Sequence, residues 1–242
     1  MKVIGMIGGM SWESTAEYYR LVNEFTRDRL GGLHSAQCVL YSVDFAEIEQ
    51  LQSQGRWTEA GEILAAAAQA LEAAGADMVL ICTNTMHKVA DCVEAVVSIP
   101  LLHLADATAE AVQASGLHRV GLLGTAFTME QDFYRGRLQA SGLDVRIPDA
   151  AGRTIIHQVI YEELCLGIVR EESRAAYQKV ITDLVAGGAE GIILGCTEIE
   201  LLIGPKDSSV PVFPTARLHA EAAVRTALSG IQNDGSASAP SQ

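Results

Sequence analysis

Basic residues are scarce in this chain: 17 Lys and Arg stand against 30 Asp and Glu, giving a net charge of −13 and a pI near 4.8. Neutralising phosphate takes clustered positive charge, so nucleic acid and anionic membrane surfaces are not expected partners. The five cysteines (Cys38, Cys82, Cys92, Cys165 and Cys196) are odd in number and contain no CxxC pair. This speaks against a disulfide framework and a zinc ribbon, and for reduced thiols in the cytosol. No His shows metal-ligand spacing, and neither Gly8-Gly9 nor Gly124 begins a GxGxxG or P-loop pattern. Neither metal nor cofactor is therefore expected. The longest apolar stretch, Leu64 to Cys82, is interrupted by Gln69, Glu72 and Asp77, and the N-terminal residues lack the continuous apolar run of a secretory leader. The expectation is a soluble cytoplasmic protein.

What the chain does have is an internal repeat on a background of 49% hydrophobic residues. Ala74 to Thr85 returns in softened form as Gly187 to Glu198, a shift of 113 residues that superposes Thr83 on Cys196. Ile4 to Gly8 matches Val120 to Gly124 at a shift of 116, and Ile99 to Leu102 matches Val210 to Phe213 at 111. Three blocks in the same order at a near-constant shift indicate a duplicated βα unit.

Short apolar runs ending in polar or glycine residues read as buried parallel strands: Lys2–Gly8, Gln37–Asp44, Met78–Cys82, Ile99–Leu104, Val120–Gly124, Val145–Ile147 and Gly191–Gly195. Between them, helical periodicity runs from a capping box at Ser14 and Glu17 to Gly31, over Thr58–Ala74, after Thr85, and over Met129–Ala140, Arg153–Cys165 and Ser173–Ala186. Asp44 to Trp57 reads as a polar connection. The alternation predicts an α/β fold of two pseudo-symmetric parallel-sheet halves with the active site in the cleft between them. Residues 1–100 with 212–230 are expected to form the first half, 101–211 the second, and 231–242 a disordered tail.

Ligands of parallel α/β sheets bind at the carboxyl ends of the strands. The polar residues there are Met10 and Ser11 after Gly8-Gly9, then Thr83, Asn84 and Thr85, then Thr125, and then Cys196, Thr197 and Glu198. Their hydroxyls, amides and backbone donors suit a small carboxylate. The competing view, that Asn84, Thr85 and Thr197 merely cap helices, does not account for paired polar clusters in two halves. Cys196 ends a strand and precedes a helix, where a lowered thiol pKa is expected. Cys82 falls opposite Gly195 in the repeat, so strand alternation turns it away from the cleft and makes it structural.

The segments Gly8-Gly9-Met10-Ser11, Thr83-Asn84-Thr85-Met86-His87 and Gly195-Cys196-Thr197-Glu198 resemble those of the cofactor-independent aspartate/glutamate racemase family, over essentially the whole chain up to the tail. The resemblance implies an amino-acid racemase, usually dimeric, in which residues at the two strand ends act as acid and base on opposite faces of the α-carbon. Thr83 and Cys196 occupy those positions. Most of the family has cysteine at both. Thr83 in place of the first cysteine resembles the subgroup that favours L enantiomers or accepts several amino acids. Aspartate-specific members hold the distal carboxylate with an Arg and a Lys. This chain has no base in the loop Asp44–Gln52, nor in Ile160–Cys165, and Gln52 suits a broader range of side chains. Substrate contacts are expected from Met10, Ser11, Gln52, Asn84, Thr85, Thr125 and Thr197. His87 is either a tuning group or part of an exposed helix face, and Lys88 reads as exposed. Rival readings are an isomerase or decarboxylase of other small carboxylic acids, or an amino-acid-binding protein with weakened catalysis.

Overall fold

The structure, a computed structural model, describes residues 1–230; the tail expected at 231–242 lies outside the described residues. Its first sheet contains β1 (Ile4–Gly8), β2 (Cys38–Ser42) and β3 (Met78–Ile81), all parallel, in the order β2-β1-β3. A single parallel bridge between Val79 and Leu101 extends it beyond β3. The second sheet contains β4 (Arg119–Gly124), β5 (Asp144–Arg146), β6 (Gly191–Gly195) and β7 (Val212–Pro214), again parallel, in the order β5-β4-β6-β7. With Leu101 in the place of β7, the two orders are the same. The α/β duplication read from the repeat is therefore present in the hydrogen bonding.

The central strands are apolar throughout because both faces are covered. In the first sheet, Ile7, Val79 and Ile81 pack against Leu64, Ala67 and Leu71 of α3 (Trp57–Ala73). Ile4, Met6, Leu80 and Cys82 face the other way, onto Tyr18, Leu21 and Val22 of α1 (Trp12–Leu30) and Ala216, Ala220 and Val224 of α11 (Thr215–Leu228). In the second sheet, Leu123, Ile192 and Leu194 meet Ile156 and Ile160 of α8 (Ala150–Glu162) and Tyr177 and Ile181 of α9 (Glu171–Ala186). Val120, Leu122 and Ile193 meet α5 (Leu104–Ala114) and α7 (Asp132–Ala140). Each fully buried aliphatic side chain contributes roughly 1.5–3 kcal/mol, so these four layers hold the strand ends in place.

Several local expectations are corrected. Asp44 is a helix cap whose carboxylate accepts from Ala46 N, so the supposed polar connection contains α2 (Phe45–Ser53). The cap of α1 is Ser11, which accepts from Ser14 N at 3.2 Å. Ser14 instead places its Oγ 2.9 Å from Cys82 O and 2.9 Å from Thr197 Oγ1. The helix after Thr85 is a 3-10 turn, Thr85–Val89, followed by the short α4 (Ala90–Glu94). The single helix expected over Met129–Ala140 is two, α6 (Ala126–Glu130) and α7, because Gln131 is extended. Only Leu101 of the Ile99–Leu104 run makes a strand bridge, and Leu104 already starts α5. Finally, Val212–Pro214 hydrogen-bonds to β6, so the return towards the first sheet begins at Thr215 and not at 212. There α11 brings Ala227 O within 2.9 Å of Lys2 N.

Candidate active site

The carboxyl ends of β1, β3, β4 and β6 converge on one cavity. Its lining includes Met10, Gln52, Thr83, Thr85, Thr125 and Cys196, all expected from the sequence, together with Phe45, Ile160, Tyr161, Cys165 and Glu198. Gly9 makes the turn after β1 with φ of 91°, and a Cβ there would stand 2.1 Å from Val43 O. Only glycine fits that turn, which delivers Met10 to the cavity. At the end of β6 an added Cβ on Gly195 would lie 2.7 Å from Leu123 O, so the residue before Cys196 is also restricted to glycine.

Ser11, Asn84 and Thr197 were expected to touch substrate but stand one layer back. Ser11 Oγ donates to Glu198 Oε1 at 2.7 Å. Asn84 Nδ2 donates to Thr215 Oγ1 at 3.1 Å, and its buried Oδ1 has no partner. Thr197 turns its hydroxyl towards Ser14. In the front layer, Thr85 Oγ1 and Thr125 Oγ1 lie 3.1 Å apart and join the two halves, and Gln52 Nε2 rests 3.0 Å from Met86 Sδ.

The two strand ends differ in their proton partners. Cys196 Sγ donates to Glu198 Oε2 at 3.0 Å. Burial, with the Glu198 carboxylate alongside, pushes the thiol well above its ordinary pKa. This overturns the expectation of a helix-lowered thiol. The following helix, α10 (Ile199–Leu202), has four residues, too few aligned peptide dipoles to offset that environment. At the other end, Thr83 O accepts from His87 Nδ1 at 2.8 Å, while His87 Nε2 accepts from Leu104 N at 3.2 Å. A carbonyl only accepts and an N–H only donates, so His87 is fixed as the neutral Nδ1–H tautomer. Burial and the neighbouring His103 ring push its pKa down accordingly. His87 is buried, not on an exposed helix face, and neither of its nitrogens is free. His103 meets its ring at a tilt and His219 edge-on, at ring-centroid distances of 4.5 and 5.8 Å. Burial lowers both imidazoles to about 3. Lys88, expected to be exposed, is partly covered: its Nζ sits 4.0 Å above the Trp57 ring and 2.6 Å from Gln131 Oε1.

Cys82 is fully buried in the layer between β3 and α1, away from the cavity, and burial pushes its pKa up. The cavity lining holds one charged side chain, Glu198, and no Lys or Arg. Phe45 escaped the sequence reading because α2 was taken as a loop, although Asp44 followed by Phe45, Ile48, Leu51 and Gln52 carries a cap and helical spacing. Ile160 and Tyr161 lay in a predicted helix, with no signal for which face meets the cavity.

Residues 7–223 match the Asp/Glu/hydantoin racemase family. The chain belongs to this family. Membership makes it an isomerase of the racemase class. A provisionally named Asp/Glu racemase from Yersinia pestis is 56% identical, with a TM-score of 0.89 over 94% of this chain and 100% of that one. An aspartate racemase homologue from Pyrococcus horikoshii OT3 is 36% identical, with a TM-score of 0.83 over 94% and 99%. Among curated relatives, the broad specificity amino-acid racemase RacX of Bacillus subtilis (strain 168) is 21% identical over 93% of this chain and 98% of its own.

Proposed function

We propose that the protein interconverts L- and D-amino acids by two-base transfer of the α-proton, with Cys196 serving the L face and Thr83 the D face, and without pyridoxal phosphate or metal. One observation carries the reading: Thr83 and Cys196, which the repeat superposes, line the same cavity from equivalent strand ends. Two such groups on either side of a bound α-carbon can each reach one face. Thr85 and Thr125, with Met10 and main-chain N–H groups, hold the α-carboxylate and stabilise the charge that develops on it, while behind them Ser11 holds Glu198, Asn84 is tied to Thr215 and Thr197 to Ser14.

The charge of the cavity bears on the substrate. A distal carboxylate entering beside Glu198, with no lining cation, would be poorly compensated. Side chains that are uncharged or hydrogen-bond to Gln52 suit it better, in keeping with the broad specificity named for the Bacillus subtilis relative. The same reading takes the protein as a cytosolic homodimer whose chain divides into 1–100 with 215–230, and 101–214.

The test is a screen of L-amino acids in deuterated water, following loss of the α-hydrogen by NMR and appearance of the D enantiomer by chiral chromatography. Exchange and inversion that survive EDTA and hydroxylamine are the expected result. Dependence on added zinc or pyridoxal phosphate overturns the cofactor-free mechanism. Binding without any exchange marks an amino-acid-binding protein, and carbon dioxide release from a malonate-type acid marks a decarboxylase.

A further inference from the structure

A second cavity lies behind the catalytic one, and Glu198 lines both. The outer cavity is bounded by Trp12, Glu17 and Arg20 of α1 and by Thr197, Glu200 and Leu201 at the start of α10. It opens at the surface beside Trp12 and Leu201, which are 68% and 51% exposed. The Glu198 carboxylate is thus a partition with one oxygen on each of two hydroxyl or thiol donors. Oε2 accepts from Cys196 Sγ at 3.0 Å and Oε1 from Ser11 Oγ at 2.7 Å.

We propose that Glu198 is a proton relay, passing the proton between Cys196 and water in the outer cavity so that the L-face base exchanges with solvent without opening the substrate cavity. The inference rests on the assignment of Cys196 as that base. Each step balances. The Cys196 thiol gives its proton to Glu198 Oε2 and becomes thiolate. The thiolate takes the substrate's α-hydrogen, leaving the electron pair on carbon. Glu198 then releases its proton to water in the outer cavity and is ready to take the new one from sulfur. A deuteron returns by the same route in heavy water. Two further observations agree with a route on this side. Burial, with Glu17 nearby, lifts the Glu200 carboxyl at the outer cavity to about 7, and Glu200 Oε1 is buried without a partner. The Thr83 end offers no equivalent, since both nitrogens of His87 are already engaged.

The diagnostic quantity is the number of solvent exchanges per inversion, measured with L substrate in deuterated water. It compares proton escape from Cys196 with return of the same proton to carbon, so a general loss of rate does not move it. In Glu198→Gln the amide cannot accept and hand on a proton, and overall rate is expected to fall about 10²-fold, the scale of one lost proton-transfer partner. Exchange per inversion should fall with it, towards equality. Leu201→Trp, which fills the outer cavity without touching the catalytic one, should lower the same ratio while inversion continues. Where Glu198→Gln is inactive, Leu201→Trp decides: a lowered ratio supports the relay and a native ratio overturns it. Native ratios in both active variants likewise overturn it. Failure of the racemase reading looks different, because the unaltered protein would then show neither exchange nor inversion.

Discussion

The ends of β3 and β6 occupy the same place in two halves of one duplicated fold, yet they offer opposite chemistry. At the β6 end, a thiol donates a hydrogen bond to a carboxylate. At the β3 end, a hydroxyl residue is backed by an imidazole whose two nitrogens are spent on Thr83 O and Leu104 N. Duplication kept the backbone path, while the side chains diverged until one end meets a carboxylate and the other a fixed imidazole. A single cavity therefore has a thiol–carboxylate hydrogen bond on one side and a hydroxyl residue with an anchored main chain on the other.

The largest test of that contrast is to remove each end's sulfur. Cys196→Ala should lower exchange and racemisation by about 10³-fold, the loss of a general base, whereas Cys82→Ala should keep a large part of both. Cys82 sits in the layer under α1 and has no path to the cavity. Equal inactivity in the two variants, with both folded by circular dichroism, would sink the assignment.

Acid should separate the ends next. His103 and His219 are held at about 3 in the fold, against about 6.5 when unfolded. A depressed folded value means the unfolded chain binds more protons. Their contribution is therefore complete above about pH 6.5 and is lost as pH falls towards 3. At pH 5 the loss is on the order of 2 kcal/mol for His219. Thermal melts from pH 7 to 4.5 should show a falling Tm, and hydrogen exchange at Thr85–Val89 should rise before that of β6. A flat Tm over this range contradicts the neutral histidine cluster.

The smallest effect is the most specific. Thr83→Cys should raise inversion of L substrate relative to exchange by about tenfold, because a thiol is a far stronger acid than a hydroxyl. Free enantiomers are equal in energy, so the variant changes both directions alike. An unchanged ratio would mean that a group other than Thr83 serves the D face.

The architecture was legible because strand burial and repetition leave a linear trace: Ile4–Gly8 and Val120–Gly124 look alike in sequence for the same reason that they occupy matching central positions. Six of the expected site residues share the cavity: chain register places five of them just after strand ends, and Gln52 reaches it from α2. What failed depended on packing across long separations. The low thiol pKa expected for Cys196 followed from a helix start, but depth and Glu198 decide it. Sequence leaves His87 between a tuning group and an exposed helix face, because its covering layer, His103 and His219, comes from α5's cap and from α11, elements with no local signal near residue 87. Ser11 and Thr197 follow the strand ends, but their hydroxyls turn to Glu198 and Ser14, partners far away in sequence.

The hydrogen bond from Lys2 N to Ala227 O brings the start of the fold beside the last turn of α11. With those two points adjacent, the order in which the halves are written is arbitrary to the fold. A rearranged gene that starts at His118, runs to Gly230, continues through a short linker into Lys2 and stops at Leu117 would break the backbone only near Gly116, an exposed turn between α5 and β4. Such a permuted protein keeps every strand neighbour, and it would carry Cys196 in its first half and Thr83 in its second.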